Sequence, residues 1–207
     1  MQTVELPELA PVWQRLPRLP QQELHSQRLS LTGWREEDLA PFAELNGDAH
    51  ALRFFPHTLT REESDQMTFR IHTRMQEFGW GLWALRVGPE RRFAGFVGLL
   101  IPRPELPLPP ALEIGWRLRQ DCWGQGYARE AAKLARDFAF HQLGEQDLIS
   151  ITSLHNQPSW RVMQAIGMQD SGQRFDHPAY EEGDARAQHC VYTLNRAAWL
   201  AQREAQA

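Results

Sequence analysis

Residues 112–141 of this 207-residue chain, LEIGWRLRQDCWGQGYAREAAKLARDFAFH, change their apolar period from two to 3.6 across a turn that carries Gly124 and Gly126. Ahead of the turn, Ile114, Trp116 and Leu118 share one face of a strand, and Glu113, Arg117 and Arg119 share the other. Behind it, Ala128, Ala131, Ala132, Ala135, Phe138 and Ala139 form one helical stripe, with Glu130, Lys133, Arg136 and Asp137 on the solvated side. A stripe of such small residues lets a helix from about Ala128 to His141 lie close to a sheet, which fixes its N-terminus. A glycine turn feeding a docked helix leaves unpaired N–H groups at the positive end of the helix dipole, where an anion is stabilised. Arg129 opposes that dipole, which makes sense if an anion sits beside it.

Three phosphate-binding designs fit a strand, a glycine turn and a helix. The Walker loop is excluded because no Lys-Ser/Thr pair follows the glycines. The dinucleotide fingerprint fails at its third glycine, where Arg129 stands, and the next strand, LISITSL, ends without the acidic residue that holds a ribose. The third design, the pyrophosphate loop of acyl-CoA users, has the form x-x-x-G-x-G/A. Trp123 to Ala128 satisfies it through Gly126 and Ala128.

The surrounding pattern describes one mixed domain. Residues 1–22 carry a proline-rich stretch without period, read as an irregular arm that could pack through Trp13, and residues 23–207 form the domain. Leu29 and Leu31 alternate as a strand, and Asp38 opens a short helix that stops at Asn46-Gly47. Thr60 to Glu63 is a capping box before Met67, Ile71, Met75 and Phe78, one apolar helix face. Residues 80–87 and 93–101 then alternate around a Gly88-Pro89 turn, predicting an antiparallel pair, and a proline-rich loop over 102–110 precedes the strand 112–118. A strand over 148–154 leads to Pro158 near a helix start, with Ser159 in its first turn and Gly167 as its stop.

Composition removes several classes of function. With 22 basic and 26 acidic residues interspersed, there is no global attraction to nucleic acid, so any anion site is local. The longest apolar run, Phe93 to Ile101, is about half a membrane span. A soluble cytoplasmic protein is expected, with no membrane or nucleic-acid partner. Cys122 and Cys190 lie far apart without metal-ligand spacing, so neither a disulfide nor a metal site is expected.

Taken in order, Glu113-Ile114-Gly115-Trp116, then Trp123-Gly124-x-Gly126-Tyr127-Ala128-x-Glu130-Ala131, then Asn156-x-x-Ser159 leading into Ile166-Gly167-Met168, resemble the GNAT N-acetyltransferase superfamily. The likeness is to the branch that includes the ribosomal-protein N-terminal acetyltransferases, and QRLSLTGWREEDL and HCVYTLNRAAW extend it over roughly residues 25–200. The resemblance implies an α/β (α+β) fold with a central mixed, mostly antiparallel sheet flanked by helices. Its parallel middle strands, 112–118 and 148–154, splay to admit acetyl-CoA as cosubstrate. Backbone groups of Trp116, Leu118 and Arg119 would meet the pantetheine arm. The loop Trp123, Gly124, Gln125, Gly126, Tyr127 and Ala128 would hold the pyrophosphate, and Asn156 would bond the pantetheine or the loop beside it. Arg129, Lys133 and Arg161 are candidates for the outer phosphates. The loop departs from the family in its first position, often Gln or Arg, where Trp123 removes a side-chain contact to phosphate.

The implied chemistry is direct acyl transfer from acetyl-CoA to a primary amine, either a protein N-terminus or a small molecule. Neutralising a lysine-type ammonium at pH 7 costs about 4.6 kcal/mol, against about 1 kcal/mol for an α-amine. Glu113 is the candidate base, with a solvated carboxylate or an ion pair to Arg117 as its alternative. Ser159 stands where relatives protonate the leaving thiolate, with a helix cap as its alternative. His155, Asp176 and His177 are further candidates near the cleft. Cys122 has no His or acid spaced to activate it as a nucleophile. Phe54, Phe55 and Trp80 could wall the acceptor site. A non-catalytic acyl-CoA-binding sensor or interaction module is the alternative class, separated by acceptor-dependent release of CoA. The C-terminal RAAWLAQREAQA is open between docking on the domain and supporting a homodimer in place of a monomer.

Overall fold

A computed structural model of the chain describes residues 16–205. Trp13 and most of the predicted arm lie outside them. Residues 16–22 lack regular structure and pack on the domain: Leu16 is buried, Leu19 N–H donates to Phe78 O at 3.0 Å, and Gln22 N–H donates to Gly79 O at 2.7 Å. Gly79 is required here, because its φ is +78° and a Cβ would lie 2.0 Å from Leu19 O.

The elements follow as β1 (Leu24–His25), β2 (Leu29–Thr32), a 3-10 turn (Glu36–Asp38), α1 (Leu39–Gly47), α2 (Arg61–Phe78), β3 (Leu82–Val87), β4 (Arg92–Leu100) and β5 (Leu112–Leu118). A second 3-10 turn (Gln120–Cys122) leads to α3 (Tyr127–His141), then β6 (Asp147–Ser153), α4 (Gln157–Ala165), β7 (Gln169–Asp176), β8 (Gln188–Asn195) and α5 (Arg196–Glu204). Among the described residues the strands make one eight-stranded sheet in the order β1-β2-β3-β4-β5-β6-β8-β7, antiparallel except for β5 and β6. This is the mixed α/β fold expected.

Periodicity explains most of the elements. Thr60 accepts from Glu63 N–H while Glu63 accepts from Thr60 N–H, the anticipated capping box, and α2 buries Ile71, Met75 and Phe78. The small stripe of α3 is buried against β4 and β5, with Phe138 edge-on to Trp83 at 5.4 Å. Three polar residues of α3 are not merely solvated as the amphipathic pattern suggested. Glu130 accepts from Ser26 and Arg28, Arg136 donates to Ile166 O, and Asp137 accepts from Trp199 Nε1. Through that last bond and the buried Trp199, α5 docks on its own domain.

Asp38 also does something other than open α1. Its Oδ2 accepts from Arg35 N–H and from the buried Arg86, each at 2.8 Å, tying the 3-10 turn to β3. Cys122 and Cys190 are free and buried. Among the described residues no helix is long and apolar enough to cross a membrane, and no cluster of His, Cys, Asp or Glu could hold a metal ion.

Candidate active site

The central strands part where the motif lies. β5 and β6 pair only at Leu112↔Leu148 and Glu113↔Ile149. β5 stays paired with β4 out to Leu118, and β6 with β8 out to Ser153, so each keeps its outer neighbour while losing the inner one. Ser150 closes the narrow end, its Oγ donating to Ile114 O at 2.8 Å.

That bond also fixes which backbone groups face the gap. Along a strand, successive residues direct their N–H and C=O to opposite sides. Ile114 points toward β6, and Arg119 N–H points back to Ala94 O at 2.9 Å. Trp116 and Leu118 therefore point into the gap. Leu118 O is already taken by Trp123 Nε1 at 2.8 Å, which leaves the Trp116 pair as the free acceptor and donor on this edge. Arg119 has neither backbone group to offer, because its carbonyl accepts from Cys122 N–H, and its side chain pairs with Glu44 at 3.0 Å. Arg119 thus braces the edge of the gap through Ala94, Cys122 and Glu44.

At the wide end stands the glycine turn. Gly124 and Gly126 have φ of +73° and +80°, the left-handed region that only glycine enters cheaply. Among the described residues, the amides from Gly124 to Arg129 find no acceptor, and Glu130 N–H is the first to bond back, to Gly126 O at 3.0 Å. Across from them, Arg161, Val162 and Ala165 of α4 complete a pocket of ≈ 410 Å³ with Gly124, Gln125, Gly126 and Arg129. Both arginines are exposed and without an acidic partner among the described residues. Lys133 is exposed and does not line the pocket.

The turn is held from outside. Arg28 forks onto Glu130, donates to Gln125 O at 3.1 Å and lies over the Tyr127 ring. Trp123 locks the turn to the end of β5 and packs against His50 and Arg53.

At the start of α4, Asn156 is the cap. Its Oδ1 accepts from Ser159 N–H and its Nδ2 donates to Thr152 Oγ1 at 2.9 Å. Asn156 therefore bonds its own loop and β6. Ser159 is relieved of capping, and its half-buried hydroxyl has no partner among the described residues.

On the opposite face of β5 from α3 lie Glu113, Gly115 and Arg117. Glu113 is half-buried and, among the described residues, takes neither a hydrogen bond nor an ion pair. Burial pushes its carboxyl up to about 8, against a smaller opposing effect of Arg103. The anticipated alternative, an ion pair with Arg117, is not made. Arg117 is drawn to Asn46 and lies between the rings of Phe55 and Phe96, its centre 4.3 and 5.5 Å from them, and burial lowers it to about 10.

The sequence did not show what surrounds that face. Tyr180 Oη donates to Phe54 O at 2.6 Å, and Arg186 donates to Phe55 O at 2.7 Å, so the 177–187 loop after β7 is stitched to the loop between α1 and α2. Beside Tyr180, the rings of His177 and His189 lie 4.9 Å apart and tilted by 38°, and burial takes His177 down to about 4, leaving it neutral at pH 7. Phe54 and Phe55 take part in this wall. Trp80 does not: it is buried and donates to Pro17 O at 3.0 Å. The sequence pointed to Phe54, Phe55 and His177 and gave no sign of the contacts made by Tyr180 and Arg186, more than a hundred residues away from the first loop.

Comparison with known proteins agrees with this arrangement. The family profile described as the Acetyltransferase (GNAT) domain matches residues 28–169. An Aspergillus fumigatus protein named FsC-acetyl coenzyme A-N(2)-transacetylase is 30% identical over 194 residues, 87% of this chain and 79% of its own. Among solved structures, a GNAT-family acetyltransferase from Bacillus anthracis superposes with a TM-score of 0.70 at 20% identity, covering 85% of this chain and 99% of that one. Spermidine N-acetyltransferase from Vibrio cholerae, in complex with CoA and spermine, superposes at 0.66 with 15% identity, covering 84% and 99%.

Proposed function

Because this chain belongs to the acetyltransferase (GNAT) domain family, and is thereby an acyltransferase, we propose that it moves an acetyl group directly from acetyl-CoA to a primary amine. The observation that carries the donor is the row of unsatisfied amides from Gly124 to Arg129 at the open end of the splay. A diphosphate is the group that such a turn accepts, with Arg129 and Arg161 beside it. The Trp116 backbone pair suits an amide-bearing arm running between β5 and β6. Bound there, acetyl-CoA supplies an activated thioester.

The chain's own residues then move protons. Glu113, on the face that looks toward the two stitched loops, takes one proton from the incoming ammonium, and Ser159 Oγ gives its proton to the departing sulfur and regains one from the nitrogen as the amide forms. No covalent intermediate on the protein is needed, and Cys122, buried with its thiol pushed up by burial, takes no part. The likeness of the motifs from Glu113 to Ala131 supports a reading in which the chain is related to the branch that includes the ribosomal-protein N-terminal acetyltransferases. They describe the donor half of the site and leave the acceptor to the loops.

Calorimetric titration with acetyl-CoA, NADH and ATP tests the donor. Selective binding of acetyl-CoA is expected, and preference for either nucleotide would overturn the assignment. Ser159→Ala is expected to lower kcat by about 10²-fold, with acetyl-CoA affinity nearly unchanged, since the serine hydroxyl holds no structural bond. Equal rates in mutant and wild type would remove Ser159 from the mechanism.

A further inference from the structure

We propose that the acceptor is a small primary amine that also bears a carboxylate, and that Arg117 is the residue that reads it. The inference rests on the acetyl-transfer reading above and adds the acceptor's chemical class.

Two half-buried or buried arginines in this fold make the contrast. Arg86 is buried against Asp38 and Thr32, so its charge is matched. Arg117 faces no carboxylate among the described residues. One Nη bonds the neutral amide of Asn46, two phenylalanine rings flank the plane, and Nε is enclosed with no acceptor. Leaving a guanidinium donor unsatisfied is costly, and the second Nη, which is not among the enclosed atoms and takes no bond among the described residues, is the donor that a carboxylate would meet.

The placement gives this edge a use. Glu113, Gly115 and Arg117 alternate along one face of β5, and a Cβ at Gly115 would touch only Leu100, at 3.4 Å. Glu113 and Arg117 therefore stand on either side of a stretch with no side chain, separated by about 13 Å of strand. An acceptor lying over Gly115 presents its amine to Glu113 and its carboxylate to Arg117. Arg103, whose charge acts on both Glu113 and His177, disfavours a polycation on the same face. Tyr180 on Phe54 O and Arg186 on Phe55 O tie together the loops that border this face, and Phe55 also flanks the Arg117 guanidinium.

Matched acceptors test the proposal: 6-aminohexanoate, 6-aminohexanamide and hexylamine, with the same triads built on the four- and eight-carbon chains, followed by CoA release. Rates are compared at equal concentration of free amine, because the amide lowers the amine pKa. The wild type is expected to favour the acid over its amide by about tenfold or more in kcat/KM, the worth of one charge-assisted hydrogen bond. Arg117→Met should bring that ratio toward one, and Arg117→Lys should retain part of it. A fold defect lowers both rates and leaves the ratio alone, so it does not imitate loss of recognition. An amide used as well as its acid in the wild type, a ratio indifferent to Arg117→Met, or no turnover of any acid overturns the inference. Turnover of the amines and amides without the acids sinks it alone, whereas acetyl-CoA binding with no turnover of any amine sinks the transferase reading of the site too.

Discussion

Glu113→Gln should lower kcat/KM by about 10²- to 10⁴-fold and remove an ionisation from the pH profile. The carboxyl sits half-buried on β5, and burial raises it to about 8, so at pH 7 most of it is protonated and unable to accept a proton. An acceptor amine with a pKa above 10 isolates the enzyme's own group, because the ammonium form that Glu113 deprotonates then stays fully populated over pH 6–9. In the wild type log kcat/KM should rise with a slope of one and level off near pH 8. In Glu113→Gln, which depends on the small fraction of free amine, the slope should be one throughout. An unchanged bend near pH 8 in the mutant would move the base elsewhere, with His177 excluded by its value of about 4.

The same substitution has a signature in stability that does not depend on any acceptor. The Glu113 pKa rises from 4.5 unfolded to about 8 folded, so between those values the folded state binds more protons than the unfolded state. Stability therefore falls as pH rises through this window, being fully present below about 4.5 and lost above about 8. Gln carries no such dependence. Thermal denaturation should show the mutant gaining on the wild type from pH 5 to pH 8, the direction expected of a residue kept for chemistry at a cost in folding energy.

Donor-side features were legible because they are local. The change of period at the turn, the two glycines, the alanine stripe and the cap at Thr60 are all encoded within a helix or strand length, and each predicted its element. The acceptor side is built from long-range contacts. Nothing at Tyr180 or Arg186 announces a bond to the carbonyls of Phe54 and Phe55, since a backbone acceptor leaves no mark on sequence. The same holds for the backbone partners of Arg119, Ala94 and Cys122, which are set by strand register and a 3-10 turn. Charged residues on a helical face read as solvated for want of any signal that Ser26, Arg28, Ile166 and Trp199 would meet them. From sequence Ser159 reads equally as a cap or an acid, because only the structure shows that Asn156 holds the cap.

Gly126→Val should weaken acetyl-CoA binding by about 10- to 100-fold, as one or two charge-assisted amide bonds are lost. The cause is conformation and not crowding. Gly126 is the N-cap of α3 at φ +80°, and a Cβ would meet only the ends of Arg28 and Arg129, at 3.6 and 3.8 Å. A β-branched residue pays on the order of 1–2 kcal/mol or more to stay in that region, so the turn relaxes and its row of amides no longer converges. Gly144→Val supplies the control, since Gly144 has φ +71°, has no atom within 4 Å of the added Cβ, and follows α3 at its far end. It bears the same strain away from the turn. Both variants should lose comparable thermal stability, while only Gly126→Val should raise the acetyl-CoA dissociation constant. Equal affinities in the two would mean that the amides of this turn do not hold the cosubstrate, and the donor site would have to be sought elsewhere along the splay.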